Sequence, residues 1–199
     1  MNDTIRNAMI ALAAMADDGR ERLKTPWSRG QYSYATDNKM AIRADGRDEF
    51  HQRPENDESA ATLDAIVSSA TGQTWYDVPA NLPAAPGPCP KCHGVPSVKC
   101  EACDGDGRVE WEFRHRGRSY DLVEDCPVCD GAGTVECTEC GGKGTGDEPA
   151  VEVGPALINP RYLRLLARLP GCRLAPADGR APVVFTFDGG AGAVMPLWR

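Results

Sequence analysis

The sequence contains no run of 18 apolar residues, so nothing in it reads as a membrane-spanning helix. It has no phosphate-cradling Gly-rich loop ending in Lys-Ser or Lys-Thr, no paired carboxylates placed for acid–base work, and no nucleophile–base set. Histidine is scarce. His51 and His115 lie in polar stretches and His93 directly follows a cysteine, so none makes a convincing catalytic group. Positive charge is also short, with 22 Lys and Arg against 29 Asp and Glu for a net charge of -7. A chain this acidic is a poor generic binder of nucleic acid, because phosphate neutralisation needs cations, although a local basic face remains compatible with it. These absences point to a non-catalytic protein. The apolar stretch Ala8–Ala16 lacks a positively charged flank, since Asp3 and Arg6 cancel. Ile5, Met9, Leu12 and Ala16 recur at helical spacing, so an amphipathic helix over 2–16, capped by Asp3 or Thr4, is expected instead of a leader.

Three residue types are abundant. Gly (21) and Pro (16) concentrate between residues 79 and 155, and there are nine cysteines. Apolar residues make up 41% of 199, enough for a buried core. Eight of the cysteines fall in Cys-x-x-Cys pairs between Cys89 and Cys140. In a chain read without a secretion signal, that spacing indicates metal binding over disulfides and implies a reducing, cytoplasmic compartment.

The helix at 2–16 is followed by an expected hairpin, Gln31–Ala35 and Lys39–Arg43 about a Thr36-Asp37-Asn38 turn, with Tyr32, Tyr34, Met40 and Ile42 facing a core. Residues 44–60 are dense in charge and read as a solvated loop, with a short helix at Ala61–Ala70. Prolines at 79, 83, 86, 88, 90 and 96 make an extended linker into the cysteines, and the Gly-rich stretch Gly141–Pro155 makes the exit. Asn159-Pro160 opens a helix to about Leu169, which Pro170-Gly171 stops. Strands Val183–Phe187 and Ala193–Leu197 follow about Asp188-Gly189-Gly190. The expected organisation is a flanking domain from 1–80 and 150–199, and an inserted module over 85–146.

Four units repeat inside the insert: Cys89-Pro-Lys-Cys92-His-Gly-Val-Pro96, Cys100-Glu-Ala-Cys103-Asp-Gly-Asp-Gly107, Cys126-Pro-Val-Cys129-Asp-Gly-Ala-Gly133 and Cys137-Thr-Glu-Cys140-Gly-Gly-Lys-Gly144. Two intervening residues let both thiolates of a pair reach one ion, and two such knuckles complete a tetrahedron. Trailing glycines permit left-handed backbone, so that amide N–H groups turn back toward sulfur. Eight thiolates make two closed sites, a structural arrangement that leaves no open position for substrate.

This repeat resembles the cysteine-rich zinc domain of the DnaJ chaperone family over residues 89–144. The resemblance implies two zinc ions in a nested pairing: Cys89, Cys92, Cys137 and Cys140 hold one, and Cys100, Cys103, Cys126 and Cys129 hold the other. Pairing of neighbouring units is the alternative. Two departures stand out. Pro96 replaces the last glycine of the first unit, and the first and last gaps between units are short, which suggests a compact arm. No His-Pro-Asp tripeptide occurs, so the J-domain of a complete co-chaperone is missing from this sequence.

Between the inner units, Val109, Trp111 and Phe113 alternate with charges, and Tyr120 and Leu122 answer across Arg116-Gly117-Arg118, which reads as a hairpin. These aromatics read first as the module's own small core. The functional alternative is an exposed strip through Trp111, Phe113 and Tyr120 that binds unfolded polypeptide or a protein partner. Arg114, Arg116 and Arg118 read as a solvated tip. Cys172, the ninth cysteine, is expected to be a small buried apolar residue at a strand start.

Outside the insert, Ile158-Asn-Pro-Arg-Tyr-Leu163, Ala181-Pro-Val-Val-Phe185, Val194-Met-Pro-Leu197, Tyr34-Ala-Thr-Asp-Asn38 and Met40-Ala-Ile42 are similar to pieces of a bacterial DNA polymerase sliding-clamp domain. That resemblance implies two helices over a curved antiparallel sheet, with Arg161, Arg164 and Arg168 on a helix face turned toward DNA. Their spacing of three and four puts them near one face, and a merely solvated basic face is the alternative. The expected fold is therefore α+β: an antiparallel, clamp-like sheet with two helices, carrying a hairpin-rich two-zinc insert. The leading functional expectation is a zinc-binding, chaperone-like interaction or scaffold protein that binds polypeptide or a partner assembly. A DNA-associated clamp-like protein comes second, and a thiol-disulfide oxidoreductase, which would need cysteines free of metal, comes last. The sequence leaves the oligomeric state open.

Overall fold

The first helix begins where the sequence supplies a cap. In the computed structural model, which describes residues 1–199 other than 17–18, 54–57, 70–73, 147, 178–180 and 198–199, helix α1 spans Asp3–Ala13. The cap is Asn2 and not Asp3 or Thr4: its side-chain oxygen accepts the Ile5 N–H at 2.9 Å, which leaves Asp3 in the first turn to complement the helix dipole. Ile5, Ala8, Met9 and Leu12 form the buried face. Helix α2 covers Glu58–Ser68, starting earlier than expected, and its anticipated last residue Ala70 lies outside the described residues. Helix α3 is Pro160–Leu166. Asn159 caps it by accepting the Arg161 N–H at 3.0 Å, and Pro160 occupies the first turn, where no N–H is needed.

The chain divides into two compact units, Met1–Ala84 with Pro149–Arg199, and Ala85–Glu148. The first unit contains β1 (Trp27–Arg29), β2 (Tyr32–Thr36), β3 (Met40–Asp45), β4 (His51–Gln52) and β5 (Tyr76–Asp77). The second contains β6 (Ser97–Lys99), β7 (Arg108–His115), β8 (Arg118–Asp125) and β9 (Thr134–Glu136). The first unit resumes with β10 (Val151–Val153), β11 (Ala156–Ile158), β12 (Arg173–Ala175), β13 (Val183–Phe187) and β14 (Gly190–Val194).

In the first unit eight strands form one sheet in the order β4-β1-β2-β3-β14-β13-β12-β5, antiparallel except where β4 lies parallel to β1. The order contains a duplication: α1 is followed by β1, β2 and β3, α3 by β12, β13 and β14, and β3 meets β14 at the centre. Side chains of α1 and α3 share one core with Met40, Ile42, Val183 and Phe185. Leu163 and Leu166 are fully buried there, each contributing about 1.5–3 kcal/mol by removal from water. On the opposite face α2 packs Ala60 and Leu63 against Trp27, Tyr34 and Ala193. The sheet is thus covered on both sides, by two helices on one and a third on the other.

Several local expectations need correction. β14 starts at Gly190, so the β13–β14 turn is shorter than expected and the strand ends before Met195. The described part of 44–60 is no free loop. The buried Ser28 hydroxyl donates to the Asp48 carbonyl and the buried Ser33 hydroxyl to that of Gly46, which fastens the segment to the sheet ahead of β4. Residues 54–57 of that stretch and Asp147 of the exit lie outside the described residues. Tyr34, Met40 and Ile42 are buried as expected, while Tyr32 is only half-buried.

Candidate metal centre

The register of two short ladders decides which cysteines meet. β6 pairs with β9, Ser97 opposite Glu136 and Lys99 opposite Thr134, which brings the first knuckle to the fourth. β7 pairs with β8 from Arg108 opposite Asp125 to His115 opposite Arg118, which brings the second knuckle to the third. Reciprocal main-chain bonds then lock the knuckles. Cys100 N–H donates to the Gly133 carbonyl and Cys126 N–H to that of Gly107; Cys89 N–H donates to Gly144 and Cys137 N–H to Pro96.

The outcome is two buried quartets, an outer one of Cys89, Cys92, Cys137 and Cys140 and an inner one of Cys100, Cys103, Cys126 and Cys129, with the sulfurs of each within 4.8 Å of one another. This is the nested pairing, and it sets aside the pairing of neighbouring units. Sulfur–sulfur separations are 3.9 Å for Cys89–Cys137 and Cys100–Cys126, and 3.7 Å for Cys92–Cys140 and Cys103–Cys129. Four thiolates about 2.3 Å from a tetrahedral zinc have edges of about 3.8 Å, whereas a disulfide closes to about 2.05 Å. The donor set therefore fits two zinc ions. Without metal, N–H groups led by that of Cys92 draw the Cys89 thiol downward against its desolvation, while desolvation pushes the Cys92 thiol upward. A central dication makes four thiolates compatible in so small a space.

Glycines let the knuckles close this tightly. Gly107 (φ 75°) and Gly133 (φ 73°) face each other across the inner site, and an added Cβ would lie 2.3 Å from the Gly131 oxygen or 2.4 Å from the Gly105 oxygen. Their N–H groups donate to Cys103 Sγ and Cys129 Sγ at 3.2 Å, and Gly144 N–H donates to Cys140 Sγ at 3.3 Å. Hydrogen bonds of this kind orient and stabilise ligand thiolates.

The hairpin turns at Arg116 and Gly117, both with positive φ as a two-residue turn of this hand requires, so Arg118 already belongs to β8. The core role expected of its aromatics is not what the structure shows. Trp111 is 58% exposed, Phe113 64% and Tyr120 52%. Of the hairpin's apolar side chains Val109 packs against the inner cysteines, joined there by Val135 of β9, while the rings stay outside. Trp111 sits opposite Leu122 and Phe113 opposite Tyr120, with the His115 ring stacked on Phe113, so one face of the ribbon is a continuous apolar ladder.

α3 ends at Leu166, short of the expected Leu169, so of the three arginines only Arg161 and Arg164 lie on the helix, and both are partly committed. Arg161 pairs at 3.2 Å with Asp37, which is buried and also accepts from Tyr162 at 2.6 Å, and Arg164 donates to the Pro83 carbonyl at 3.0 Å. Arg168 is exposed. Burial and the Asp37 contact push the Tyr162 hydroxyl upward. Cys172 is half-buried against the main core beside β12, and burial raises its thiol to about 12. Sequence reasoning passed over Trp27, which stacks on Tyr34 and under the Arg53 guanidinium. The run Trp27-Ser-Arg29 ahead of a Gly-containing turn was the available signal.

Compared with known protein families and with curated proteins, the chain matches no family model and no curated protein. The likeness to a DnaJ-type zinc module accordingly stands on the two four-cysteine clusters and their knuckles. Among the described residues no helix is long and apolar enough to cross a membrane.

Proposed function

We propose that this is a non-catalytic, zinc-stabilised interaction protein whose module of residues 85–148 binds a polypeptide partner along the aromatic face of β7 and β8. The observation that carries this is the exposed ladder of Trp111, Leu122, Phe113 and Tyr120 on the ribbon of a module whose buried apolar side chains are cysteines. Exposed apolar surface of this continuity marks an interaction site, and a two-stranded ribbon also leaves unpaired main-chain edges to which an extended peptide can add. When bound, zinc supplies cross-links and no open coordination position, which favours a scaffold over an enzyme. Fluorescence anisotropy with labelled unfolded polypeptides tests the idea. The double variant Trp111→Ser/Phe113→Ser should keep both zinc ions and lose binding at least tenfold; unchanged binding would sink the proposal.

A second reading, a DNA-associated clamp-like protein, is favoured by the duplicated helix-plus-three-strand arrangement of the first unit, with α1 and α3 on one face. It needs a ring of several copies. Native mass spectrometry together with retention on circular but not linear DNA would support it, and a monomer indifferent to DNA would remove it. Use of Arg161 and Arg164 inside the fold leaves this reading with fewer free cations than the resemblance implied.

A further inference from the structure

The two metal clusters are not equivalent. In three of the four knuckles the fourth residue after the second cysteine is glycine, and its N–H donates to that cysteine's sulfur: Gly107 to Cys103, Gly133 to Cys129, Gly144 to Cys140. In the first knuckle this residue is Pro96, which has no N–H. The inner quartet therefore receives two of these hydrogen bonds and the outer quartet one. The proline ring also holds φ near -65°, so Pro96 cannot take the positive φ of 73° to 75° shared by the three glycines.

The first knuckle closes differently as well. In the other three, the second residue after the later cysteine returns its N–H to the carbonyl of the earlier one, as in Gly105 to Cys100 at 3.0 Å, Gly131 to Cys126 at 3.3 Å and Gly142 to Cys137 at 3.1 Å. Here His93, one residue sooner, donates to Cys89 at 2.7 Å. The surrounding ladders are unequal too. The inner quartet lies between the three-residue β6–β9 pairing and the eight-residue β7–β8 pairing; the outer one lies between β6–β9 and the single bridge Pro88–Thr145. Burial does not separate them, for Cys92 is 6% exposed and Cys103 7%.

From these asymmetries we infer that Pro96 makes the outer cluster the exchangeable one: Cys89, Cys92, Cys137 and Cys140 give up their metal first and together, while the inner quartet keeps its own. Cys92 lacks the N–H that the other three knuckles aim at the sulfur from the fourth position on, so its thiolate is held less firmly in place and is the easier one for a competing ligand to displace. The module then has one end that answers to free zinc and a permanent end that carries the aromatic ribbon. This rests on zinc occupying both clusters.

The test uses the full chain, purified under reducing conditions, with its metal content first established by native mass spectrometry. Fewer than two zinc ions at that stage would count against the zinc reading itself, separately from this inference. A chelator such as EDTA is then added, and samples are quenched with N-ethylmaleimide and mapped by peptide mass spectrometry. The expected result is a one-zinc species alkylated at the four outer cysteines and protected at the four inner ones. Pro96→Gly, which restores the missing donor, should slow the first release about tenfold, the scale of one hydrogen bond to a charged group. Simultaneous loss of both ions, or first alkylation at Cys100, Cys103, Cys126 or Cys129, would overturn it. Mapping of the unaltered chain decides the matter even if Pro96→Gly folds poorly.

Discussion

Replacing Gly133 by alanine tests the inner site most sharply, because the structure contains its own control. Gly117 at the ribbon's tip has nearly the same backbone as Gly133, with φ of 75° against 73°, but an added Cβ there meets nothing within 4 Å. At Gly133 the same methyl would lie 2.4 Å from the Gly105 oxygen and 3.2 Å from its carbonyl carbon. Both variants carry the strain of a left-handed alanine, about 1–2 kcal/mol. Only Gly133→Ala adds an overpacking term, about 1–3 kcal/mol, because the opposing atom is backbone and cannot swing away. That backbone belongs to the knuckle of Cys100 and Cys103, so the strain is felt as lost metal affinity. Gly133→Ala should weaken the inner zinc by about 2–5 kcal/mol, roughly 30- to 5000-fold. Gly117→Ala should leave zinc affinity unchanged and loosen only the hairpin turn. Competition against a chromophoric chelator measures both. Equal inner-site affinities in the two variants would refute the idea that close glycine–carbonyl packing builds the site.

Cys126→Ser should lose the inner zinc and the order of the ribbon that it anchors, seen by circular dichroism and proteolysis, while the stability of the flanking unit changes by less than about 0.5 kcal/mol. Asp37→Ala leaves the Tyr162 hydroxyl and the N–H groups of Lys39 and Met40 without their acceptor, and urea unfolding should show a loss of about 2–3 kcal/mol, the half-exposed Arg161 contributing little. Alkaline pH should destabilise the flanking unit. Burial raises Cys172 and Tyr34 each to about 12, so the folded chain holds protons that the unfolded chain releases from about pH 9 for the thiol and about pH 10 for the phenol. This stability is complete below pH 9 and declines toward pH 12; Cys172→Ala should flatten the first step and Tyr34→Phe the second in thermal melts across that range.

The cysteine knuckles were legible because their chemistry is local. Four Cys-x-x-Cys pairs with trailing glycines specify ligands, turns and sulfur-directed N–H groups within eight residues each, and Pro96 was visible as the odd member. Which knuckles pair was not written locally, since it depends on the β6 and β9 register, two strands of three residues with little periodicity. Asn159-Pro160 announced α3 through cap and first-turn chemistry. The segment after Ala44 misled because its charge density suggests solvent, while the contacts that fix it are main-chain carbonyls taken up by Ser28 and Ser33, which composition does not reveal. The aromatics of the ribbon misled in the opposite direction. Alternation specifies that Trp111 and Phe113 share a face but not whether anything covers it.

That last error explains why an insert of this kind exposes so much apolar surface. In residues 85–148 the buried apolar side chains are the eight ligand cysteines, with Val98, Val109 and Val135 partly buried against them. Among its described residues there is no aliphatic or aromatic core of the sort that stabilises an ordinary small domain, and an eight-residue two-stranded ribbon is at best marginal alone. The folding free energy has to come from the metal, and binding of a structural zinc supplies on the order of 10–16 kcal/mol in small metal-dependent folds. A unit stabilised in that way has no need to bury Trp111, Phe113, Tyr120 and Leu122, so they remain on the surface without unfolding the module. The same economy makes the ribbon conditional. Its register is held at the base by Cys103 and Cys129, so loss of the inner metal removes the anchor of the apolar face, whereas loss of the outer metal leaves that anchor in place. Partner binding through Trp111 and Phe113 should therefore track inner-site occupancy and be insensitive to the first zinc removed.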